Sequence, residues 1–312
     1  EEQRRQMAYP SIAVVGPTAC GKTRRAVELA LSLGGEIISA DSRQVYRGMS
    51  IGTGKDLCEY GEIPYHLIDI ADAGEKYNLH RYLRDFHKAY SDVLGRGLLP
   101  VICGGTGMYL ENAIRGIRLP DVPENKALRK ELEVKNLDEL TAMLASMKAL
   151  HNNTDTDTVK RAVRAIEIQK YYEDHPDESV QASADNARSL DCVVIGLDIP
   201  REVRRERITM RLRSRLEEGM ADEIKGLLDL GIPAADLIYY GLEYKYVTLY
   251  VTGVLTYDEM FTQLEIAIHQ FAKRQMTWFR GMERRGIHIH WLPYDIPGPD
   301  LIRTVRQLIQ DQ

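Results

Sequence analysis

A short loop near the amino terminus has the residue types and the spacing of a phosphate-binding loop. It fits the pattern G-x-x-x-x-G-K-[ST] between a β-rich run, Ser11–Val15, and a helical run, Thr23–Leu33. The glycines let backbone N–H groups turn toward phosphate oxygens, Lys22 adds a mobile positive charge, and the Thr23 hydroxyl is placed to bind Mg²⁺. The pattern predicts diphosphate or triphosphate binding and leaves the reaction open. The loop consists of Gly16, Pro17, Thr18, Ala19, Cys20, Gly21, Lys22 and Thr23.

A carboxylate follows the second strand-like run of the chain. Asp41 comes directly after EIISA, and a parallel sheet gathers its ligands at the carboxyl ends of its strands. In that place Asp41 could accept a proton from a nucleophile, hold a metal, or simply cap the turn that follows. Gln44 offers both a donor and an acceptor, which suits the edge of a base.

A second glycine-rich turn and a row of arginines are further candidates for binding phosphate. Gly104–Gly107 follows the run LLPVIC and opens a helix, so the Thr106 hydroxyl could bind a phosphate oxygen, although a threonine that only caps the helix would look the same. An arginine-rich helix face is usually only solvated, but beside a phosphate loop one arginine could bind a departing phosphate group. The spacing does not select which one. The arginines that share a helix face are Arg204, Arg207, Arg211 and Arg215.

Strand-like and helical runs alternate along most of the chain, as a parallel sheet with right-handed crossovers requires. From about Pro120 to Ser189 the pattern is helical and then polar and loop-like from Glu173. We therefore expect an α/β fold, with a P-loop NTPase-like parallel sheet core flanked by helices in residues 1–119 and 191–312, and an inserted all-α domain at 120–190. Expected strands are Ser11–Val15, Glu36–Ala40, Leu67–Ile70, Leu98–Cys103, Cys192–Leu197 and Ile287–Trp291; expected helices are Thr23–Leu33, Leu79–Leu94, Glu124–Val134, Leu137–Ala149, Thr156–Tyr172, Arg201–Leu230, Tyr257–Arg284 and Pro299–Gln310.

Composition excludes several classes of protein. The chain has 312 residues, of which 44% are hydrophobic and 28% charged, with a mean hydropathy of −0.33, so it is typical of a globular protein. No apolar run approaches the ~18–20 residues that span a bilayer, and EEQRRQMAYP lacks the apolar centre of a secretory signal. The four cysteines, Cys20, Cys58, Cys103 and Cys192, form no C-x-x-C pair, so we expect no zinc site. Since so few cysteines are typical of a reducing environment, we expect a cytoplasmic setting and thiols that are buried or neutral.

The charge is distributed unevenly along the chain. A net charge of −5 argues mildly against a nucleic-acid partner, but net charge averages over patches. The segment Arg201–Arg215 holds seven arginines against two glutamates, which predicts a local electropositive surface. A second basic cluster contains Lys273, Arg274, Arg280, Arg284 and Arg285.

Several distinct motifs, in one order and over nearly the whole chain, are those of a known family. The chain resembles the tRNA dimethylallyltransferases of the bacterial type, which modify an adenine next to the anticodon. The phosphate loop alone would not carry this resemblance. The motifs are GPTACGKT at Gly16–Thr23, DSRQVYRGMSIGTGK at Asp41–Lys55, PYHLIDI at Pro64–Ile70, GGTGMYL at Gly104–Leu110, KRAVRAIEI at Lys160–Ile168 and AKRQMTWFR at Ala272–Arg280.

The resemblance implies a prenyl transfer from dimethylallyl diphosphate to the exocyclic amine of a tRNA adenine. The phosphate loop would then hold the diphosphate of the donor, bridged by Mg²⁺. The family's general base falls on Asp41, the threonine of its GGTG motif on Thr106, and its phosphate-binding arginine on Arg211. Its tRNA-contacting segments fall on Asp41, Ser42, Arg43 and Gln44, and on Lys160, Arg161, Ala162, Val163 and Arg164. We also expect the basic clusters to bind the tRNA stem through Lys273, Arg274 and Gln275, although AKRQMTWFR could instead be an amphipathic core helix with exposed arginines.

This chain departs from the family pattern at identifiable positions. Cys20 stands where the family usually has serine, and Gly241–Tyr244 reads GLEY in place of G-Y-[KR]-[EQ]. The insertion is short and lacks the usual V-D-P segment before its R-x-x-R helix.

Two other functions remain open from the sequence. A P-loop kinase of a small molecule or nucleotide would share the phosphate loop, the strand-end aspartate and the arginines, but would require ATP. A nucleotide-switched RNA-binding module would need no proton acceptor at Asp41. For prenyl transfer we expect a cytoplasmic monomer in which one channel joins Lys22 to Asp41 and admits a flipped-out adenine from the opposite mouth.

Overall fold

The computed structural model describes residues 11–150, 154–179 and 189–312, which form two compact units. The larger unit consists of the described residues up to Arg115 together with Leu190–Gln312, and the smaller unit is Gly116–Ser189. These limits lie within a few residues of the expected insertion. Most of the polar stretch expected to be a loop, at 180–188, lies outside the described residues.

A six-stranded sheet forms the centre of the larger unit. Its strand order is β4-β2-β6-β1-β7-β8, and every pairing is parallel. Central residues such as Ile12, Val101 and Ile195 have no exposed surface, because the strands are covered on both faces. The strands are β1 (Ser11–Val15), β2 (Gly35–Ser39), β4 (Tyr65–His66), β6 (Leu99–Gly104), β7 (Cys192–Asp198) and β8 (Ile289–Pro293), while β3 (Tyr46–Arg47) and β5 (Ala71–Asp72) pair separately.

Helices flank this sheet, which confirms the expected fold class. The first helix starts at Lys22 and contacts β6, so the phosphate loop is held between the sheet and a helix N-terminus. The long eleventh helix begins with a capping box, in which Thr256 and Glu259 bond to each other's backbone N–H groups. The helices of this unit are α1 (Lys22–Leu33), α2 (Leu79–Gly95), α3 (Gly107–Ile114), α7 (Arg201–Glu217), α8 (Met220–Asp229), α9 (Ala234–Tyr239), α10 (Leu242–Val251), α11 (Tyr257–Arg284) and α12 (Gly298–Gln310).

The structure differs from expectation in three segments. Leu67–Ile70 is not a strand: β4 ends at His66, and the positive φ angles of Leu67 (67°) and Asp69 (57°) are incompatible with extended backbone. Arg201–Leu230 is two helices rather than one, because Gly219 between them has φ 105°. The sequence analysis also gave no helix for 234–251, where α9 and α10 lie.

The smaller unit is helical, with α4 (Lys126–Glu133), α5 (Leu137–Met147) and α6 (Val159–Asp174) around its own apolar core. Beside that core, the buried carboxylate of Glu167 accepts hydrogen bonds from Arg129, from Arg164 and from the backbone N–H of Asn125. Burial alone would raise the pKa of Glu167, but these donors outweigh it and lower the pKa to about 2. The core residues are Leu128, Leu132, Leu140, Leu144, Ala162, Val163, Ala165 and Ile166.

Candidate active site

The phosphate loop turns sharply between β1 and α1. Ala19 and Gly21 both have left-handed backbone, with φ angles of 66° and 85°, and Gly21 is the N-cap of α1. A Cβ atom at Gly16 would lie 2.6 Å from the sulfur of Cys20, so the loop closes on itself only with glycine there. The N-terminal partial charge of α1 and the Lys22 ammonium therefore make the loop electropositive at the carboxyl ends of the strands.

A buried glutamine ties the phosphate loop to the second glycine-rich turn. The Oε1 atom of Gln275 accepts a hydrogen bond from the Thr18 N–H at 2.8 Å, and its Nε2 donates to the Gly105 carbonyl at 3.0 Å. Gln275 is only 7% exposed, so both ends of its amide are used inside the protein. The side chain therefore positions two loops, and because Gln275 also lines a cavity beside them, its expected tRNA contact stays a prediction. Gln275 lies at the helical spacing of the buried apolar residues of α11, and that spacing is the signal that the sequence offered.

Asp41 and Thr106 are fixed beside each other at the ends of β2 and β6. Asp41 Oδ1 accepts hydrogen bonds from the backbone N–H groups of Arg43 (2.8 Å) and Gln44 (3.1 Å), so the turn-capping role is real. Within the described residues, no donor is bonded to Oδ2. Thr106 Oγ1 accepts from the Ser42 N–H at 3.0 Å and donates to Ser42 Oγ at 3.3 Å, so this threonine braces the turn that carries Asp41.

Two adjoining cavities open around these residues. The first has a volume of about 350 Å³ and the second about 280 Å³. Lys22 and Asp41 line both, so the phosphate loop and the strand-end carboxylate border each of the two adjoining cavities. The first cavity continues along Thr23 and Arg211, and the second along Thr106, Phe271, Arg274 and Trp278. The wall shared by the two cavities is formed by Thr18, Lys22, Asp41 and Arg43.

The arginines of α7 divide between different tasks. Arg207 and Arg211 line the first cavity, and the Arg207 guanidinium lies 4.8 Å from the ring centre of Tyr294. Burial, and then the neighbouring charge of Arg215, lower the pKa of Arg211. Arg215 donates to the Ile51 carbonyl at 2.7 Å and so holds the cavity wall, while Arg204 lines neither cavity.

Two acidic residues that line the first cavity, Asp56 and Glu59, were not among the expected site residues. Asp56 lies 3.6 Å from Arg211 and 3.5 Å from Arg215. Burial, and then the charge of Asp56, raise the pKa of Glu59, which lines the same cavity. Both residues lie in or beside a 3₁₀ turn, Leu57–Tyr60, that follows the expected DSRQVYRGMSIGTGK motif.

The donor set of this cavity fits Mg²⁺. Magnesium prefers oxygen ligands, usually takes one or two from protein, and completes its shell with phosphate and water. The Thr23 hydroxyl and the carboxylates of Asp56 and Glu59 supply such oxygens. In the described part of the chain, no three or more His, Cys, Asp or Glu side chains form a metal cage, so a cation here would depend on a phosphate ligand.

Arg43 and Gln44 are held by partners inside the protein. Arg43 pairs with Glu243 at 2.6 Å, and Gln44 Nε2 donates to the Thr53 and Gly54 carbonyls at 3.1 and 3.2 Å. Burial would lower the pKa of Arg43, but the carboxylates of Glu243 and Asp41 outweigh it and raise that pKa. Glu243 belongs to the GLEY segment that departs from the family pattern, and its role here is to fix Arg43 on the wall shared by the two cavities.

The expected tRNA segment of α6 contributes less than its sequence suggested. Ala162 and Val163 are packed into the core of the smaller unit, so their side chains present nothing to a tRNA, which corrects the expectation for both. Arg164 is bonded to Glu167 and to the Val122 carbonyl. Lys160 and Arg161 are exposed, and Arg161 pairs with Asp157, which lies just before the N-cap of α6.

The thiols bear out only part of the expectation for cysteine. Cys20 and Cys103 are buried, and burial raises the pKa of Cys103 to about 12. Cys58, however, is exposed on the 3₁₀ turn beside the first cavity. All four thiols are free. As for membrane insertion, none of the helices described is both long enough and apolar enough to span a bilayer.

Comparison with known proteins places this geometry in a family. The IPP transferase family model matches residues 44–282, and the isopentenyl transferase model matches residues 11–60. A protein of Porphyromonas gingivalis named tRNA dimethylallyltransferase 1 is 59% identical over 95% of this chain and 98% of its own length. A protein of Bacteroides fragilis named tRNA dimethylallyltransferase 2 is 58% identical over 97% of this chain and 99% of its own length.

Solved structures agree with these matches. The tRNA isopentenylpyrophosphate transferase of Bacillus halodurans superimposes with a TM-score of 0.70 at 33% identity, covering 97% of this chain and 96% of that one. A eukaryotic dimethylallyltransferase acting on tRNA gives a TM-score of 0.75, covering 97% of this chain and 80% of that one, at 23% identity, and so supports the fold alone.

Proposed function

The chain belongs to the IPP transferase family, and we propose that its two adjoining cavities transfer a dimethylallyl group from dimethylallyl diphosphate to the exocyclic amine of the adenine 3′ to the anticodon of tRNA. The observation that carries this proposal is that Lys22 and Asp41 both line the wall shared by the two cavities. The alternative function of a kinase is not supported, because the relatives reported above are named as transferases of a prenyl group.

The first cavity binds the diphosphate of the donor. Its backbone N–H groups, Lys22, Arg207 and Arg211 surround the space in which a leaving group gains negative charge. Such pre-oriented donors stabilise a developing anion more than water does, because they need no reorganisation during the reaction. When bound by Thr23 and the phosphate oxygens, Mg²⁺ supplies further neutralisation of that charge.

Asp41 removes the proton that the acceptor amine loses. The exocyclic amine of adenine is conjugated with its ring and is a weak nucleophile, so it becomes acidic only as the new C–N bond forms. The turn bonds to Oδ1 hold the carboxylate still and leave Oδ2 to accept that proton. A base of this kind contributes roughly 10²–10⁴-fold to the rate.

The second cavity receives the purine. Phe271 and Trp278 give it apolar walls, while Arg274 provides charge for a neighbouring phosphate. A base that enters it must leave the stack, which costs least in a single-stranded loop. A filled cavity also keeps water from the allylic carbon, which would otherwise be hydrolysed.

The deciding experiment offers the purified protein two sets of substrates. One mixture contains dimethylallyl diphosphate, Mg²⁺ and unmodified tRNA, and the other contains ATP, Mg²⁺ and small acceptors. We expect prenyl transfer to a tRNA adenine, detected as a mass increase of the digested nucleoside, and no phosphorylated product. ATP-dependent phosphorylation without prenyl transfer would reject the proposal in favour of a kinase.

The same proposal covers the setting of the enzyme. We infer that the active species is a monomer. Its tRNA substrate places it in the cytoplasm. Elution as a monomer with full activity at nanomolar concentration is the expected result of size-exclusion chromatography and dilution.

A further inference from the structure

An arginine cluster lies outside both cavities, where α7 packs against α11. Its members are Arg201, Arg204 and Arg205 near the start of α7, and Arg280 on α11. Residues three and four apart on a helix share a face, so the three α7 arginines lie together. The cluster takes no part in the cavity walls described above.

The arginines of this cluster form no ion pair with a carboxylate in the described part of the chain. None of the four arginines has a carboxylate within 4.0 Å in that part of the chain, although Glu202 and Glu206 lie on the same helix. The Nε atom of Arg204 is buried and has no hydrogen-bond partner there. Burial, and then the charges of Arg201, Arg205 and Arg280, lower the pKa of Arg204.

This arrangement contrasts with the many arginines of the molecule that form ion pairs. Arg84 and Arg303, for example, are exposed and each lies beside an aspartate, Asp85 and Asp300. Unpaired guanidinium groups held close together repel one another, and such a surface gains most from an anion with several oxygens. The same repulsion reaches His269, whose pKa is lowered by burial and then by the charges of the cluster.

We propose that Arg201, Arg204, Arg205 and Arg280 form a binding surface for the phosphodiester backbone of the substrate RNA. This inference rests on the proposed function for the identity of the partner. Arg207, one turn along α7 from Arg204, lines the donor cavity, so the surface continues from the site of chemistry. RNA that has one nucleotide in the second cavity must pass its neighbouring phosphates over the surrounding protein.

The test measures tRNA affinity against salt concentration for an Arg205→Gln/Arg280→Gln variant. Both side chains are exposed, so the fold should persist. The matched control is Arg84→Gln/Arg303→Gln, which changes the net charge equally. We expect the first variant to bind unmodified tRNA about tenfold more weakly at 0.15 M salt, and its log–log salt slope to fall by about 1–2, because fewer counterions are released. The control should retain the wild-type slope.

The outcomes separate this inference from the proposed function. If wild-type protein transfers no prenyl group, the proposed function fails whatever the slopes are. If it does transfer the group but the two variants share one salt slope, the RNA surface is rejected and the activity stands. A weaker inhibition by inorganic pyrophosphate, with an unchanged tRNA slope, would instead place the cluster in the field of the donor cavity and also reject the surface.

Discussion

Asp41 divides its two carboxylate oxygens between structure and chemistry. Oδ1 accepts both backbone N–H groups of the turn, while Oδ2 has no donor among the described residues. Asparagine keeps an acceptor oxygen for the turn and loses only the capacity to take a proton. Alanine would lose both. The two substitutions therefore separate the two roles.

We expect Asp41→Asn to lower the rate of single-turnover prenyl transfer by roughly 10²–10⁴-fold, with little change in tRNA affinity. Asp41→Ala should lose a similar rate and also some thermal stability, because the turn loses its cap. Rapid-quench kinetics measures the rate of prenyl transfer, and a binding titration measures the affinity for tRNA. Equal losses of rate and tRNA affinity in Asp41→Asn would favour the RNA-binding module over the enzyme.

Gln275 shows how a residue distant in sequence can shape the phosphate loop. Its two hydrogen bonds connect Thr18 to Gly105 across the site. We expect Gln275→Leu to raise KM for the donor severalfold and to lower the free energy of unfolding by about 1–3 kcal/mol, since a buried N–H and a buried carbonyl lose their partner. The exposed Gln263→Leu on the same helix is the control. A raised Kd for tRNA with an unchanged donor KM would instead favour the tRNA contact expected of Gln275.

At the scale of elements, local pattern predicted most of the larger unit. Apolar runs such as Ser11–Val15 and Cys192–Leu197 are buried strands, and the phosphate loop lies between a strand and a helix, where Gly21 adopts a positive φ that residues with a Cβ atom rarely adopt. The short pairing of β3 with β5 could not be predicted, because two residues carry no periodicity. The hydrogen bonds of Gln275 and the contacts of Asp56 could not be predicted either, because they join residues far apart in sequence.

The break between α7 and α8 depends on one glycine. Gly219 has φ 105°, where a Cβ atom is strained, whereas Gly226 lies inside α8 with open space around it. We expect Gly219→Ala to destabilise the protein by about 1–3 kcal/mol, and Gly226→Ala to stabilise it by about 0.5–1 kcal/mol. Urea unfolding of the two variants checks both signs. Equal stabilisation by both would mean that a continuous helix over 201–230, as the sequence suggested, is accessible.

At the scale of the whole molecule, the two units are stabilised by different means. The larger one is built on a parallel sheet whose strands are apolar along their length. The smaller one has a small apolar core, and beside it a buried carboxylate that forms ion pairs with two arginines. A buried ion pair contributes little when compared with apolar packing, but removing one partner leaves the other charges uncompensated. Protonation of this carboxylate in acid should therefore destabilise the smaller unit.

Glu167 gives that sensitivity a sign and a range. Its pKa in the folded protein is about 2, below the ordinary value of 4.5, so its stabilisation is present above pH 4.5 and is lost as the pH falls toward 2. The shift corresponds to a contribution on the order of 3 kcal/mol at neutral pH. We expect Glu167→Gln to lower stability by about that amount at pH 7, and the gap between wild type and variant to narrow between pH 4.5 and 2. Hydrogen exchange of α4–α6 measures the effect where it acts, and strands β1 and β6, which contain no carboxylate, serve as the internal control. A gap that stays constant over this range would show that the carboxylate charge of Glu167 does not stabilise the unit.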